Sequence, residues 1–223
     1  GSSIMSIFNT PLRLNIEIGN KKIWAQTYIP KPVPILSAIS IYPAGYDEYG
    51  DGMTEYRIEF LDPVDEENYY ELFFLSYSSI LSNEHLAYLD PVIRSEGLEG
   101  YDNKSLLFSD RLFNGEMANI IVKYLPMTFQ SNVGSLIDLT QVEKNSSYAL
   151  LRTVSKEYYD YRRAWVIHRY SQQNKPDALK KDPILEDFSR FLFVGDPVAM
   201  SNSIKNGVGV FAGYSQSVIK IER

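Results

Sequence analysis

Hydrophobic and polar residues alternate along the first part of the chain. Apolar side chains occupy every second position from Leu12 to Ile18, the pair Gly19-Asn20 follows, and the alternation resumes from Ile23 to Ile29. A period of two is typical of a half-buried strand, and Gly-Asn between two such runs predicts a β-hairpin. The prolines of "PKPVP", residues 30–34, cannot donate to a central strand, so this stretch is predicted to be an extended edge or crossover segment.

The same pattern predicts further strands separated by short polar turns. They are Ile35 to Tyr42, Thr54 to Leu61, Tyr69 to Tyr77, and the segments "SLLFSD" (105–110), "EMANIIVKYLPMTF" (116–129), "SYALLRTV" (147–154) and "FLFVG" (191–195). Residues 83–104 fit either a short helix or an extended loop, and residues 174–190 form a polar connection.

One amphipathic helix is predicted near residues 155–172. Ser155 is placed to cap its amino end, and Glu157 lies in the first turn. Five residues fall at helical spacing on one face, namely Val154, Tyr158, Tyr161, Trp165 and His168. Many strands with one helix predict a mainly β fold, an antiparallel β-sandwich with one packed helix, and a β-barrel is the alternative.

The run "NSIKNGVGVFAGYSQS" (202–217) holds three glycines, Gly207, Gly209 and Gly213. A dinucleotide-binding fingerprint needs such glycines between a strand and a helix whose amino end receives the phosphates. Here the surrounding residues resemble a strand almost to the chain end, and no Gly-Lys-Ser/Thr sequence is present. We therefore predict a terminal strand whose glycines let another backbone or ring come close, with the face carrying Tyr158 and Trp165 as the candidate neighbour.

Composition narrows the class of protein. A length of 223 residues suits one β domain, and 44% hydrophobic with 22% charged residues is typical of a globular chain. The net charge of -6 and the lack of a concentrated basic cluster argue against a nucleic-acid partner. The absence of cysteine excludes disulfides and thiolate chemistry, and no apolar run is long enough for a transmembrane segment.

Motifs of catalysis are missing from the sequence. His85 and His168 do not have the spacing of metal ligands, and no Gly-x-Ser-x-Gly nucleophile elbow occurs. A glycoside hydrolase needs a pair of carboxylates, but the sequence singles out no pair among the 28 acids. We therefore expect no enzymatic activity, no catalytic residue and no cofactor, and keep a glycan-active hydrolase using paired carboxylates as the alternative.

Aromatic residues supply the binding hypothesis. Tyr46, Tyr49 and Tyr56 flank the glycine-rich loop "YDEYGDG", and several tyrosines crowd the predicted helix. Exposed rings can stack on sugars or contact a protein partner, which makes Tyr46, Tyr49, Tyr56 and Tyr159 candidate ligand-binding residues. The alternative is that these rings fill the core between sheet and helix.

The same loop offers Asp47 and Asp51 as candidate calcium ligands. Oxygen ligands suit this ion, but the loop lacks the spaced ligands and closing Glu of an EF-hand. Acidic residues are also common in turns, because Asp hydrogen-bonds to its own backbone there. The overall expectation is therefore that no metal is bound.

Four segments resemble the Bacteroidetes family called domain of unknown function 4249. They are "WAQTYIPKPVPI" (24–35), "FSDRLFNGE" (108–116), "TVSKEYYDYRRA" (153–164) and the ending "DPVAMSNSIKNGVGVFAGYSQS" (196–217). The family's "fSD.lFnG", "Ls.eYY.Y" and "sNi.nGlGiFggy" segments occur in this order. The resemblance covers essentially the whole chain from about Leu12 onwards.

This resemblance implies a surface lipoprotein, lipid-anchored in the outer membrane and typically encoded beside a TonB-dependent transporter. It implies no established activity and no catalytic residues. It also implies that a lipid-anchored amino terminus and a preceding β domain lie outside this sequence. Residues 1–34 would then be a terminal hairpin from that domain, followed by a sandwich domain over 35–223. The expected function is a non-enzymatic accessory protein that binds a carbohydrate, another small ligand or the transporter, and a purely structural surface module is a further alternative.

Overall fold

The computed structural model describes residues 7–64, 66–76, 79–80, 86–98, 105–125, 130–131, 146–173 and 198–223. Within these ranges the chain is mainly antiparallel β structure in three sheets, with two helices, so the predicted fold class is confirmed. The strands are β1 (Leu12–Ile18), β2 (Lys21–Thr27), β3 (Ile35–Ile41), β4 (Thr54–Leu61), β5 (Tyr69–Ser76), β6 (Ser79–Ile80), β7 (Leu86–Leu89), β8 (Leu106–Ser109), β9 (Met117–Tyr124), β10 (Gln130–Ser131), β11 (Ser147–Val154) and β12 (Tyr214–Lys220); the helices are α1 (Pro91–Arg94) and α2 (Lys156–Gln173). Neither helix in these ranges has the length and apolar character needed to cross a bilayer.

The predicted hairpin is present as β1 and β2, which pair antiparallel from Leu12↔Thr27 to Ile18↔Lys21. It forms a two-stranded sheet of its own. The proline segment that follows is irregular, as predicted, and the backbone of Val33 connects it to β11 and β12. Its N–H donates to Thr153 Oγ1 at 3.2 Å, and its carbonyl accepts from Ser217 Oγ at 2.6 Å. The division of the chain at residue 34 into two domains stays a prediction.

Two larger sheets enclose the core. One has the order β3-β4-β9-β7, and the other has the order β10-β6-β5-β11-β12 with β8 beside the first half of β5. The last residues of the chain connect them, because Glu222 continues from β12 and pairs with β3. Its carbonyl accepts from Ser40 N at 2.7 Å, and its N–H donates to Ala38 O at 2.9 Å.

Strand β5 shows how the alternating pattern builds two different layers. Tyr70 and Leu72 point into the core, where Phe60 and Phe108 meet the ring of Tyr70 at centroid distances of 5.1 Å and 5.5 Å. The intervening Glu71 has the opposite orientation and contacts the side chains of α2. One face of this sheet therefore packs on the other sheet, and the opposite face packs on the helix.

Helix α2 spans the predicted residues, but its buried face differs from the prediction. Tyr159 and Val166 are its buried side chains with described surroundings, whereas Tyr158, Trp165 and His168 are only partly buried. Buried positions at this seven-residue spacing lie one residue away from the predicted face. The reason is that Tyr158 turns its hydroxyl toward a polar group on the sheet, and Tyr159 carries the apolar contact.

The start of α2 is tied to two other segments through Ser155. The carbonyl of Ser155 accepts from Tyr159 N at 3.0 Å, which begins the helix. Ser155 therefore stands at the predicted amino end of the helix, and its hydroxyl accepts from Gly213 N and from Thr27 Oγ1, both at 3.3 Å. A buried serine therefore joins the helix start to β2 and to the residue that precedes β12.

The predicted terminal strand is shorter than expected. It begins at Tyr214, and Gly207 and Gly209 lie in the irregular segment before it. The predicted close approach does exist at Gly213, where an added Cβ would lie 2.3 Å from the carbonyl oxygen of Tyr28. The neighbour is thus the backbone after β2 and not the face of α2 that carries Tyr158 and Trp165.

Some predicted features fall elsewhere. Within residues 83–104, where a helix and a loop were both open, the structure has β7 followed by the one-turn helix α1. The predicted strand at 191–195, the polar connection at 174–190 and His85 lie outside the described residues.

We predict that Gly213→Ala lowers the free energy of unfolding by about 2 kcal/mol or more, because the new methyl group would overlap backbone atoms that cannot rotate away. Gly207→Ala is the matched control. Its Cβ would meet only side-chain methyl groups of Ile204 and Ile23, at 3.1 and 3.2 Å, which can shift. Urea unfolding of both variants measures the difference. Equal losses would contradict the role of the Tyr28 contact.

Candidate binding loop

The connection between β3 and β4, residues 42–53, presents three exposed tyrosines, and we call it the tyrosine loop. Tyr42 is 70% exposed, Tyr46 is 65% exposed and Tyr49 is 83% exposed. Two of the four tyrosines predicted to bind a ligand, Tyr46 and Tyr49, are therefore accessible to a partner. Their role in binding stays a prediction.

Backbone hydrogen bonds across the tyrosine loop give it the form of a small hairpin. Met53 O accepts from Ala44 N at 2.8 Å, and Gly45 O accepts from Met53 N at 2.9 Å. Nearer the tip, Tyr46 and Gly52 form an antiparallel bridge. The exposed rings are thus carried on an ordered backbone, which lowers the entropy lost when a partner binds.

Asp47 holds the tip of the loop. One carboxylate oxygen, Oδ1, accepts from Tyr49 N at 2.9 Å and from Asp51 N at 2.8 Å, as in an Asx turn. The described residues contain no group of three or more His, Cys, Asp or Glu arranged to hold a metal. The Asp47 carboxylate therefore has a clear role in forming the turn, and the expectation that no metal binds at Asp47 and Asp51 stays a prediction.

The base of the loop is fixed by Lys123 on β9. Its ammonium group donates to Ala44 O at 3.3 Å and pairs with Glu55 at 2.9 Å, while Arg57 Nε contacts the same carboxylate at 2.5 Å. Burial alone would raise the pKa of Glu55, but the hydrogen bonds from Lys123 and Arg57 outweigh it and lower that pKa. Glu55 is therefore held as a carboxylate that keeps Lys123 under the loop.

Tyr42 was missed by the sequence-based prediction. Its ring lies over Gly52, since an added Cβ there would be 2.9 Å from the Tyr42 hydroxyl. The Tyr42-Pro43 step at the end of an apolar strand, ahead of a glycine-rich loop, was the available signal. Tyr42 supports the loop from one side while most of its ring remains exposed.

The other two candidate tyrosines are buried. Tyr56 is 7% exposed, and its ring lies 4.7 Å from the ring of Phe74 and 5.9 Å from that of Tyr124. Burial raises its pKa. Tyr159 is 8% exposed, its ring lies tilted against that of Tyr69 at a centroid distance of 4.6 Å, and its hydroxyl donates to Glu96. Both rings fill the interior, as the core-filling alternative anticipated, so neither is accessible for stacking on a ligand.

Glu71 is the centre of a polar network beneath α2. This fully buried carboxylate accepts from Ser105 Oγ and Tyr158 OH, both at 2.7 Å, and pairs with Arg152 at 3.3 Å and Arg162 at 3.1 Å. The pKa of Tyr158 is raised, mainly by burial and additionally by the negative charge of Glu71. With four partners, Glu71 has no free oxygen for a substrate.

Glu96 forms a second buried network close to Tyr159. One oxygen accepts from Ser109 N at 2.9 Å and from Ser109 Oγ at 2.8 Å, and Arg111 lies 3.6 Å away. The other oxygen accepts from the Tyr159 hydroxyl. Like Glu71, this carboxylate fastens α2 to the sheet and is closed to a substrate.

Asp62 and Asp110 form a third buried acidic group. Asp62 accepts from the Tyr70 hydroxyl and from Gly115 N, and Asp110 accepts from Asn68 N at 2.6 Å. Burial raises the pKa of both acids, and Asp62 raises the pKa of Asp110 further. Asp110 keeps one oxygen, Oδ1, without a hydrogen bond. Both acids are closed to solvent, so a substrate has no access to them in this conformation.

Comparison with protein-family models identifies the same family that the four sequence segments resemble. The family model described as domain of unknown function (DUF4249) matches residues 9–220. The chain belongs to this family. No curated protein and no solved structure gives a significant match.

Within this DUF4249 chain, the segments that carried the resemblance supply internal contacts. "FSDRLFNGE" contains Asp110 and Gly115, and "TVSKEYYDYRRA" contains Ser155, Tyr159 and Arg162. These residues contact the buried acids or join the helix to the sheets. These two segments therefore supply interior contacts of the DUF4249 chain, and the exposed tyrosine loop lies outside all four segments.

We predict that Glu71→Ala lowers the free energy of unfolding by about 3–5 kcal/mol, because it leaves two guanidinium groups without their buried partner. The exposed pair Lys156–Asp160 is the matched control. Asp160→Ala should cost about 0.5 kcal/mol or less, since solvent screens that pair. Chemical denaturation of both variants tests this. Similar small losses would show that the Glu71 network is dispensable.

We predict that Asp47→Ala loosens the tyrosine loop without unfolding the domain. The amides of Tyr49 and Asp51 lose their acceptor, so their hydrogen exchange should accelerate, while the melting temperature changes little. Asp47→Asn, which keeps an acceptor oxygen, should preserve most of the protection. Unchanged exchange in Asp47→Ala would mean that the carboxylate does not order the loop.

Proposed function

We propose that this chain is a non-enzymatic accessory surface lipoprotein, anchored in the outer membrane through a segment that precedes it. The tyrosine loop contacts a protein partner, and that partner is a TonB-dependent transporter. The location and the partner class come from what membership of the DUF4249 family implies. The choice of contact surface comes from the loop.

The observation that carries the proposal is the ordered presentation of exposed rings. Tyr46 and Tyr49 extend from a tip that Asp47 and a backbone bridge hold in place. Tyrosine supplies a large amphipathic contact area at a low cost in side-chain entropy, and loops rich in Tyr and Gly are common in protein-binding surfaces. A transporter loop or plug surface with donor groups would also meet the acids Glu48 and Asp51 at the rim.

The occupied carboxylates support binding over catalysis. A paired-carboxylate hydrolase needs one acid that can protonate a leaving group and a second acid that faces the sugar. Glu71 and Glu96 are saturated with donors, and Asp62 and Asp110 are closed to solvent. None of these four buried acids favours the hydrolase alternative, and the exposed tyrosines disfavour a purely structural module with an inert surface.

Co-purification of the full-length protein from native membranes tests the proposal. We expect a TonB-dependent transporter to purify with the wild-type protein, and we expect the double variant Tyr46→Ser/Tyr49→Ser to retain about a tenth of it or less. Loss of two central rings commonly removes more than 1.4 kcal/mol of binding free energy, which is a tenfold effect. Absence of a transporter from the wild-type preparation would overturn the proposal.

Leu112→Ser is the matched control for this experiment. Leu112 is 60% exposed and lies in the turn before β9. The tyrosine loop precedes β4, whose first residue, Thr54, pairs with the last residue of β9. Leu112 is thus at the opposite end of the sheet, and its substitution should leave transporter recovery unchanged. An equal loss in this control would indicate a nonspecific effect of surface change and contradict the role of the loop.

A further inference from the structure

The polar face of the β1–β2 hairpin carries an exposed tryptophan. Trp24 is 47% exposed, and the register places Asn15 directly opposite it. The next pair on the same face is Arg13 with Gln26. These side chains line a shallow hollow of about 340 Å³. The hollow lies outside the tyrosine loop and outside the buried acidic networks.

A third segment extends this face. Lys205 pairs antiparallel with Trp24, since Trp24 N donates to Lys205 O at 3.3 Å and Lys205 N donates to Trp24 O at 2.8 Å. Directly paired residues share a face, so Asn15, Trp24 and Lys205 form a row across three adjacent segments. The Asn206 side-chain amide strengthens the attachment through its bond to Lys22 O at 2.9 Å. The ring is therefore held on a fixed backbone.

The polar groups around Trp24 are uncommitted. In the part of the chain that the structure describes, no hydrogen bond or ion pair engages the side chains of Arg13, Asn15, Gln26 or Lys205. The neighbouring Lys22, by contrast, pairs with Glu17 at 3.4 Å. Among the described residues, Arg13 and two uncommitted amides thus line the hollow with Trp24, and the cation Lys205 lies beside Trp24 on the adjoining segment, in a chain whose net charge is -6. The local charge is opposite to the overall charge and attracts an anion.

This combination of groups matches the chemistry of an acidic sugar. A pyranose ring has an apolar C–H face that packs on indole, and its hydroxyl groups donate to and accept from side-chain amides. A carboxylate on the ring accepts paired hydrogen bonds from a guanidinium group, and an ammonium group adds a point charge. A neutral sugar needs neither the guanidinium nor the ammonium group, and it would leave Arg13 and Lys205 without a partner.

We propose that the Trp24 face of the hairpin is a binding site for an acidic saccharide of the uronate type. Trp24 stacks on the sugar ring, Arg13 and Lys205 bind the carboxylate, and Asn15 with Gln26 bind hydroxyl groups. This site is separate from the tyrosine loop. A test of saccharide binding at this site is therefore independent of a test of the transporter contact.

Calorimetric titration with a short oligogalacturonide tests the assignment, and its methyl ester is the matched ligand because it keeps the ring and removes the charge. We expect the acid to bind at least tenfold more tightly than the ester, and the difference to shrink at high salt. Trp24→Ala should weaken binding of the acid by about tenfold or more. Arg13→Gln should retain ester binding and reduce the preference for the acid.

Three results would overturn the proposal. They are no binding of the acid at millimolar concentration, affinity unchanged by Trp24→Ala, and equal affinity for a tetraglutamate peptide, which has the charges without the sugar ring. Tyr88→Ala serves as the control for loss of an exposed aromatic elsewhere, since Tyr88 on β7 is 39% exposed, and it should bind like the wild type. Arg13→Gln, a surface change, keeps the test decisive even if Trp24→Ala does not fold.

Discussion

A buried carboxylate between two arginines determines how the helical layer sits on this domain. Glu71 and Arg152 occupy paired positions on β5 and β11, and Arg162 approaches the same carboxylate from α2. Each charge is costly to bury alone, so the three must stay together once any of them is buried. This requirement fixes the position of α2 along the sheet more narrowly than apolar contact would, because hydrophobic packing tolerates sliding and paired hydrogen bonds do not.

The second constraint acts where three segments meet at the start of α2. Gly213 lies against the backbone of Tyr28, and its N–H donates to Ser155, which also accepts from Thr27. A side chain at residue 213 would separate these segments. The start of the helix, the end of the hairpin and the start of β12 are therefore positioned together. The hairpin, which otherwise forms its own sheet, gains a fixed base on the sandwich from this junction.

Local pattern was sufficient to predict most strands and α2, because each depends on periodicity within one segment. The same alternation indicates that Tyr56 is buried, because Tyr56 is in phase with Ile58 and Phe60, which point into the core. The pairing of Glu71 with Arg152 could not be predicted in the same way. Each is a single charge within an apolar strand, but their contact depends on which strands are neighbours, and that order comes from tertiary packing.

The interior and the surface of this domain consequently have different chemistry. Inside, the carboxylates Glu71 and Glu96 are saturated by donors from neighbouring elements, so the polar groups there contribute to specificity of packing. Outside, the rings of Tyr49 and Trp24 are exposed on ordered backbone.

The two exposed regions also join the sandwich at different ends of β12. The hairpin ends beside the start of β12, at Ser155 and Gly213. The tyrosine loop follows β3, and β3 pairs with Glu222, which lies just past the end of β12. Because a folded strand of this length separates them, a partner on one region need not cover the other. The proposed protein contact at the tyrosine loop and the proposed sugar contact at the hairpin therefore do not exclude each other.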